Sequence, residues 1–281
     1  MPHHTRLKTS AGTVDFDRTR IMGILNVTPD SFSDGGHFNT VEKAFARGLE
    51  MVEQGAAILD VGGESTRPGA DSLPVDEELA RVIPVIERLA RSAGVPVSID
   101  TYKLPVAQAA VDAGAAIVND VTALRGDEGM ARFVGAERLP VILMHALWPP
   151  QVMQDNPEYV NVVEDVVDFL DRQTCTAMAS GVPRDRILID PGIGFGKTLD
   201  QNLDLLRSLP RFVAEGFPVV VGPSRKRFIG ELTSQPVSAR TFGTAGAVAV
   251  CAAAGVNLVR VHDVAAIRDV VRVVDAIVWQ V

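Results

Sequence analysis

The sequence predicts an α/β fold, a single (β/α)8 TIM barrel over residues 1–281 with a short N-terminal hairpin or cap. Short apolar runs rich in Val and Ile alternate eight times with longer stretches of helical period, and alternating strand and helix demands a parallel sheet. Composition agrees: 47% of residues are hydrophobic but only 5% aromatic, so the interior is mostly Val, Ala, Leu and Ile, as suits a parallel sheet wrapped by helices. A chain of 281 residues suits one such barrel, which runs at about 250 residues. A doubly wound open sheet is the alternative architecture. No internal repeat, linker or low-complexity segment interrupts the pattern, which predicts one domain.

In chain order, the first fifteen or so residues form the hairpin or cap beneath the barrel. Strands are expected at 21–27 (IMGILNV), 57–62 (AILDVG), 96–100 (PVSID), 116–120 (AIVND), 140–145 (PVILMH), 186–190 (RILID), 218–222 (PVVVG) and 257–262 (NLVRVH). Helical patterns follow near 40–54, 75–92, 103–113, 127–137, 159–180, 199–214, 238–254 and 263–278.

Each apolar run ends in a polar residue or a glycine. The ends are Asn26, Gly62 with Gly63, Asp100, Asn119 with Asp120, His145, Asp190, Gly222 before Ser224, Arg225 and Lys226, and Arg260 with His262. In a barrel these groups converge on the C-terminal face, where this fold keeps its chemistry. One subset reads as cationic: Arg67, Arg260 and His262, with Arg225 and Lys226 nearby, suited to phosphate oxygens. The other is carboxylate and amide: Asp100, Asn119 and Asp190. A carboxylate in a barrel mouth needs donors, and a heterocycle with an amino group beside a ring N–H supplies two. A guanine-like or pterin ring has such edges. Structural readings are assigned to Asp120 and Asp263 as caps of the following helix or partners of their loops, His145 as a filler of the barrel mouth, His37 as an exposed loop residue, and Arg81, Arg88 and Arg91 as a solvated helix face.

Other chemistries are excluded. The stretch DPGIGFGKT (190–198) has the residues of a phosphate loop but not its spacing, because Pro191 stands five positions before Gly196. The spacing G-x-G-x-G of Gly192, Gly194 and Gly196 also fails the dinucleotide fingerprint. A net charge of −8 without a Lys/Arg run argues against nucleic acid. The longest apolar stretch, near 245–254, is about half a bilayer span, and MPHHTRLKTSAG lacks a signal peptide's apolar core. No membrane association is expected. Cys175 and Cys251 belong to no C-x-x-C pair and read as free cytosolic thiols.

Across nearly the whole barrel the sequence resembles the dihydropteroate synthases of folate biosynthesis. The matching motifs are MGILNVTPDSFSDGG (22–36), DVGGESTRPGA (60–70), SIDTYK (98–103), IVND (117–120), LMH with MQ downstream (143–154), IDPGIGFGKT (189–198), SRKRFIG (224–230) and VRVHDV (259–264), in the family's order and spacing. The resemblance implies a transferase that joins 6-hydroxymethyl-7,8-dihydropterin diphosphate to 4-aminobenzoate, with Mg2+, in an SN1-like displacement. It further implies a sulfonamide target and a cytoplasmic homodimer. It assigns the pterin ring to Asp100, Asn119, Asp190 and Lys226, the magnesium ion and diphosphate to Asn26 and Asp34, and the diphosphate to Thr66, Arg67, Arg260 and His262. Phe32, Pro68, Phe195 and Ser224 would line the aminobenzoate pocket, and loops 27–39 and 63–73 would close over the site. Asp100, Lys226, Arg260, His262 and Asp34 are the expected catalytic set. Trp148-Pro149-Pro150 departs from the family pattern, as do Pro223 and Arg227 around Ser224. The rival enzyme is a methyltetrahydrofolate-type methyltransferase, which would have no use for Arg67, Arg260 and His262 as a diphosphate cluster. A catalytically silent pterin-binding homologue should lack some of these residues.

Overall fold

The computed structural model describes residues 5–28, 37–64, 72–147 and 157–280. A hairpin of β1 (Thr5–Thr9) and β2 (Gly12–Phe16) precedes the barrel. Then come β3 (Arg20–Asn26), α1 (His37–Glu53), β4 (Ile58–Gly62), α2 (Val75–Ser92), β5 (Val97–Asp100), α3 (Leu104–Asp112), β6 (Ile117–Asp120), α4 (Met130–Ala136), β7 (Val141–Met144) and α5 (Val162–Ala179). The chain continues through β8 (Ile187–Asp190), α6 (Leu199–Arg207), α7 (Leu209–Val213), β9 (Val220–Val221), α8 (Arg227–Thr233), α9 (Thr241–Ala253), β10 (Leu258–Val261) and α10 (Val264–Val278). The eight strands from β3 to β10 form one parallel sheet in the order β8-β7-β6-β5-β4-β3-β10-β9. A parallel bridge between Ile189 and Val219 joins its two ends, so the sheet closes.

Side-chain alternation makes the lower barrel apolar and the upper barrel polar. Met22, Ile58, Ile117, Ile142, Leu188, Val220 and Leu258 form one buried cluster. Leu7, Val14 and Phe16 of the hairpin belong to it, so the hairpin packs on the barrel interior as a plug. Two residues further along a strand the chain returns to the same face. Those next inward positions are Ile24, Asp60, Asn119, Met144, Asp190, Gly222 and Arg260, of which four are polar and one is glycine. A two-residue step from Ile to Asp, or from Leu to Arg, thus converts core into site.

The structure departs from the expected elements in several places. The helix expected over 199–214 breaks at Ser208, because Pro210 has no N–H to donate and its ring obstructs the preceding turn. The SRKRFIG segment contributes a helix, α8, that the apolar pattern did not reveal. Asp263 makes no side-chain cap and instead pairs with Arg225 of the loop after β9 at 2.5 Å, the loop-partner half of its expected reading. Arg81 is not a solvated residue: it donates to the Gly63 carbonyl and pairs with Glu77, with only 13% of its side chain exposed. Arg88 and Arg91 do lie outward, paired with Glu42 and Glu87. Asp120 satisfies its loop by accepting from Thr122 N, Thr122 Oγ1 and Leu124 N. Among the described residues no helix is long and apolar enough to cross a membrane.

Candidate active site

The polar strand ends meet around one guanidinium. Arg260 of β10 donates from Nε to Asp60 Oδ2 at 2.6 Å and from Nη2 to Asp100 Oδ2 at 2.5 Å. Asn119 Nδ2 donates to the same Asp60 oxygen at 3.1 Å. Asp60 and Asp100 therefore share a single cation, which leaves an excess negative charge in a buried place. The other oxygens of both, Asp60 Oδ1 and Asp100 Oδ1, are buried without a partner among the described residues. Burial pushes the Asp100 carboxyl up to about 7 against the pull of Arg260, whereas Asp60 and Asp100 hold the guanidinium charged despite its own burial.

Asp190 ends β8 beside this cluster. Its Oδ1 accepts from Gly192 N at 2.7 Å, and burial raises its carboxyl to about 6, opposed by that backbone bond and by Lys226. Gly192 sits at φ +69°, and a Cβ there would lie 1.8 Å from the His145 carbonyl oxygen, so only glycine fits. Gly194, at φ +83°, lets the Lys226 side chain pass, since a Cβ would stand 3.0 Å from Lys226 Cδ. Lys226 Nζ ends 3.8 Å from the centroid of the buried Phe195 ring. The glycine turn in DPGIGFGKT thus brings a carboxylate, an ammonium and an aromatic wall to one place.

His262 corrects its expected reading as a cation. Its ring is half-buried and near Arg225 and Arg260, and desolvation with those two charges lowers it to about 3, so it is neutral at pH 7. The Ser224 hydroxyl accepts from His262 N at 3.2 Å and lies 2.9 Å from His262 Nδ1. When the Ser224 hydroxyl donates to Nδ1, the ring hydrogen sits on Nε2. His262 is then a neutral N–H donor. Ser224, expected against aminobenzoate, orients that ring.

Asn26 ends β3. Its Oδ1 lies 3.8 Å, and Asp100 Oδ2 3.7 Å, from the point a Cβ on Gly62 would occupy. The missing side chain at Gly62 leaves a space flanked by two hard oxygens, a donor type that Mg2+ takes when it also binds substrate phosphates and water. No group of three or more His, Cys, Asp or Glu suited to a metal occurs among the described residues. Phe32, Asp34, Thr66, Arg67 and Pro68 lie outside the described residues, as do Trp148-Pro149-Pro150 and the side chain of His37.

Three groups escaped sequence reasoning. Asp60 sits mid-strand, where DVGGE offered only the alternation Ile58, Asp60, Gly62 as a signal. Lys197 is buried and donates to the carbonyls of Gly192 and Phe195, both at 2.9 Å, and contacts His145 Nδ1 at 3.0 Å. His145 is more than a filler, since it anchors this lysine. Lys103 pairs with Glu64 and Glu78 and donates to Leu73 O, and so ties residue 64 to residue 73.

The chain matches the family model described as pterin binding enzyme over residues 22–262. The dihydropteroate synthase of Synechocystis sp. is 44% identical over 264 residues, covering 94% of this chain and 91% of that relative. The structure of Xanthomonas albilineans dihydropteroate synthase with 4-aminobenzoic acid superposes with a TM-score of 0.92 at 49% identity, covering 98% of both chains. The same enzyme in complex with 7,8-dihydropteroate gives 0.88 at 46% identity, covering 97% of this chain and 98% of that one.

Proposed function

This chain belongs to the pterin binding enzyme family, has dihydropteroate synthase function, and on that premise we propose how its residues carry the reaction. The reaction condenses 6-hydroxymethyl-7,8-dihydropterin diphosphate with 4-aminobenzoate and releases pyrophosphate. The observation that carries the proposal is the buried carboxylate cluster, whose unpartnered oxygens need N–H donors. In this reading Asp190 takes the amino group and ring N–H of the pterin, Lys226 donates to its carbonyl oxygen, and Asn119 and Asp100 meet the opposite edge.

The amine is neutral and nucleophilic at pH 7, so the barrier lies in breaking the methylene carbon–oxygen bond. We infer an SN1-like course: the electron pair leaves with pyrophosphate, the dihydropterin ring supports the cationic methylene, and the amine nitrogen then forms the new bond and loses a proton. His262, as a neutral Nε2–H donor, and Arg260, through Nη1, stabilise charge growing on the leaving group, with Thr66 and Arg67. Mg2+, held by Asn26 and Asp34, would neutralise diphosphate charge when bound. Phe195 walls the amine side, with Phe32, Pro68 and Ser224.

The chain works as one domain, as a homodimer, in the cytoplasm. Two free cysteines, Cys175 and Cys251, accord with a reducing compartment. Pyrophosphate release is the test. Release that requires 4-aminobenzoate and Mg2+, falls by about a hundredfold or more in Lys226→Ala and Arg260→Ala and is blocked by a sulfonamide in competition with the amine is expected. Release indifferent to the amine would reject the assignment.

A further inference from the structure

Lys226 follows a residue in a conformation that only glycine adopts freely. Arg225 stands at φ +57°, in the left-handed region, where a residue with a side chain is strained unless its surroundings hold it. Its N–H donates to Thr244 Oγ1 at 3.1 Å, and its side chain grips Asp263 through Nε and Nη2 at 3.1 and 2.5 Å. The remaining hold comes from Arg240, at the start of α9. Its Nη1 donates to two carbonyls, Arg225 O at 3.1 Å and Lys226 O at 3.2 Å, so the backbone is fixed on both sides of the Lys226 Cα.

The seat of that guanidinium is built for it. Arg240 Nε donates to Gln235 O at 3.0 Å, and the guanidinium lies over Gly230 of α8, where any Cβ would run into it. Inside a helix alanine is better than glycine by about 1 kcal/mol, so Gly230 has its physical reason in the arginine that covers it. What the clamp fixes is the path of the lysine. The Lys226 side chain passes Gly194, its Cδ 3.0 Å from the point a Cβ there would occupy, and ends 3.8 Å from the centroid of the Phe195 ring. Relaxation of Arg225 to an ordinary negative φ would swing the next residue out of that path.

We propose that Arg240 is a positioning residue for the reaction: seated over Gly230 and bonded to the carbonyls of Arg225 and Lys226, it holds the left-handed turn that aims the Lys226 ammonium into the ring pocket. The inference rests on the pterin reading of Lys226. Arg240 acts through that lysine and not as a charge of its own.

The test is a double-mutant cycle on kcat/KM for 6-hydroxymethyl-7,8-dihydropterin diphosphate, read as pyrophosphate release at saturating 4-aminobenzoate and Mg2+. Arg240→Met should lose about tenfold or more in the otherwise wild-type protein. In a Lys226→Ala background the same change should cost less than about twofold, because the group it positions is gone. A loss that persists at full size in that background would come from the missing charge or from a loosened α8 and α9, and would overturn the proposal. Gly230→Ala is the second variant: it keeps Arg240 and favours the helix but displaces the guanidinium, so it should reproduce the loss, again only when Lys226 is present. It carries the cycle alone if Arg240→Met loses its near-UV circular dichroism. Gly230→Ala with wild-type kcat/KM would also overturn the proposal. A Lys226→Ala protein as active as wild type is a separate outcome, which removes the pterin reading of Lys226 itself.

Discussion

Lys197 is a lysine buried to 4% exposure. It survives in the barrel wall because carbonyl oxygens of Gly192 and Phe195 and the Nδ1 of His145 surround it. Burial lowers the lysine to about 7 and the histidine to about 2, so His145 is a neutral acceptor. These bonds hold the loop that carries Asp190 at one end and Phe195 near the other. Lys197→Met should leave those carbonyls without their donor, at a cost of about 1–3 kcal/mol in denaturant unfolding, and raise KM for both substrates more than it lowers kcat. Unchanged KM values would deny the lysine this role. The carboxylates make a second prediction. Asp190, near 6, and Asp100, near 7, lie above the ordinary 3.8, and only their ionised forms are pure acceptors, so kcat/KM for the pterin substrate should climb between about pH 6 and 7. In the ligand-free protein those raised values mean that the fold binds protons more tightly than the unfolded chain. Stability from this pair should therefore decline as pH rises from about 4 to about 7, as thermal melts at stepped pH would record. None of this was legible for Lys197: in GFGKT it looks like a phosphate ligand, and only the fold turns it inward. Asp100, Asn119 and Asp190 were legible because a polar residue that ends an apolar barrel strand stands at the mouth, where the fold keeps its chemistry. Asp60, mid-strand, lacked that signal, and His262 read as a cation because sequence carries no information about burial.

At the scale of elements, the barrel has one thin seam. β9 pairs with β10 through two residues only, and meets β8 through the single bridge of Ile189 to Val219. Pro218 has no N–H to extend the ladder, and its carbonyl accepts from Ile189 N at 3.0 Å. Val219 N is satisfied by a side chain, Asn257 Oδ1, at 2.9 Å, while Asn257 N and Leu258 N both donate to Val219 O. A buried asparagine thus replaces a missing rung. Asn257→Ala should cost about 1–3 kcal/mol, and faster amide exchange confined to 218–221 and the start of β10 would locate the damage. A loss spread evenly over all strands would mean that the seam is not the weak point. Strand positions were readable here because eight apolar runs repeat at barrel spacing, and the hairpin plug because its residues precede the first run. The brevity of β9 was not, since PVVVG reads as a full strand until its neighbours decide which N–H groups find partners. The break at Ser208 was within reach of the sequence through Pro210, but the helical periodicity runs across it.

For the whole molecule, the question is what the outer helices do with apolar side chains that the barrel does not use. Phe242 is 90% exposed on α9, Leu232 56% on α8 and Ile277 73% on α10, with Val250 and Val273 also exposed on α9 and α10. Helix α9 packs between α8 and α10, so these residues belong to one side of the barrel wall. Large apolar residues gathered on one side of an otherwise acidic molecule mark a surface for association. The occupant best matched to such a face is a second copy of the chain, because an isologous pair buries the same residues from both partners. Light scattering should therefore give twice the 30.0 kDa chain mass, and Phe242→Asp should return it to the monomer. The site lies at the strand ends, and this substitution lies on the outer wall, so kcat/KM of the monomeric variant separates two roles for pairing. Activity retained within about threefold would make the dimer a matter of stability, with a lowered Tm. Activity lost together with pairing would mean that the second copy steadies the segments that follow β9, including α8 and Lys226 at its start. A wild-type protein that scatters as a monomer would remove the second copy from both accounts and leave the apolar face for another partner.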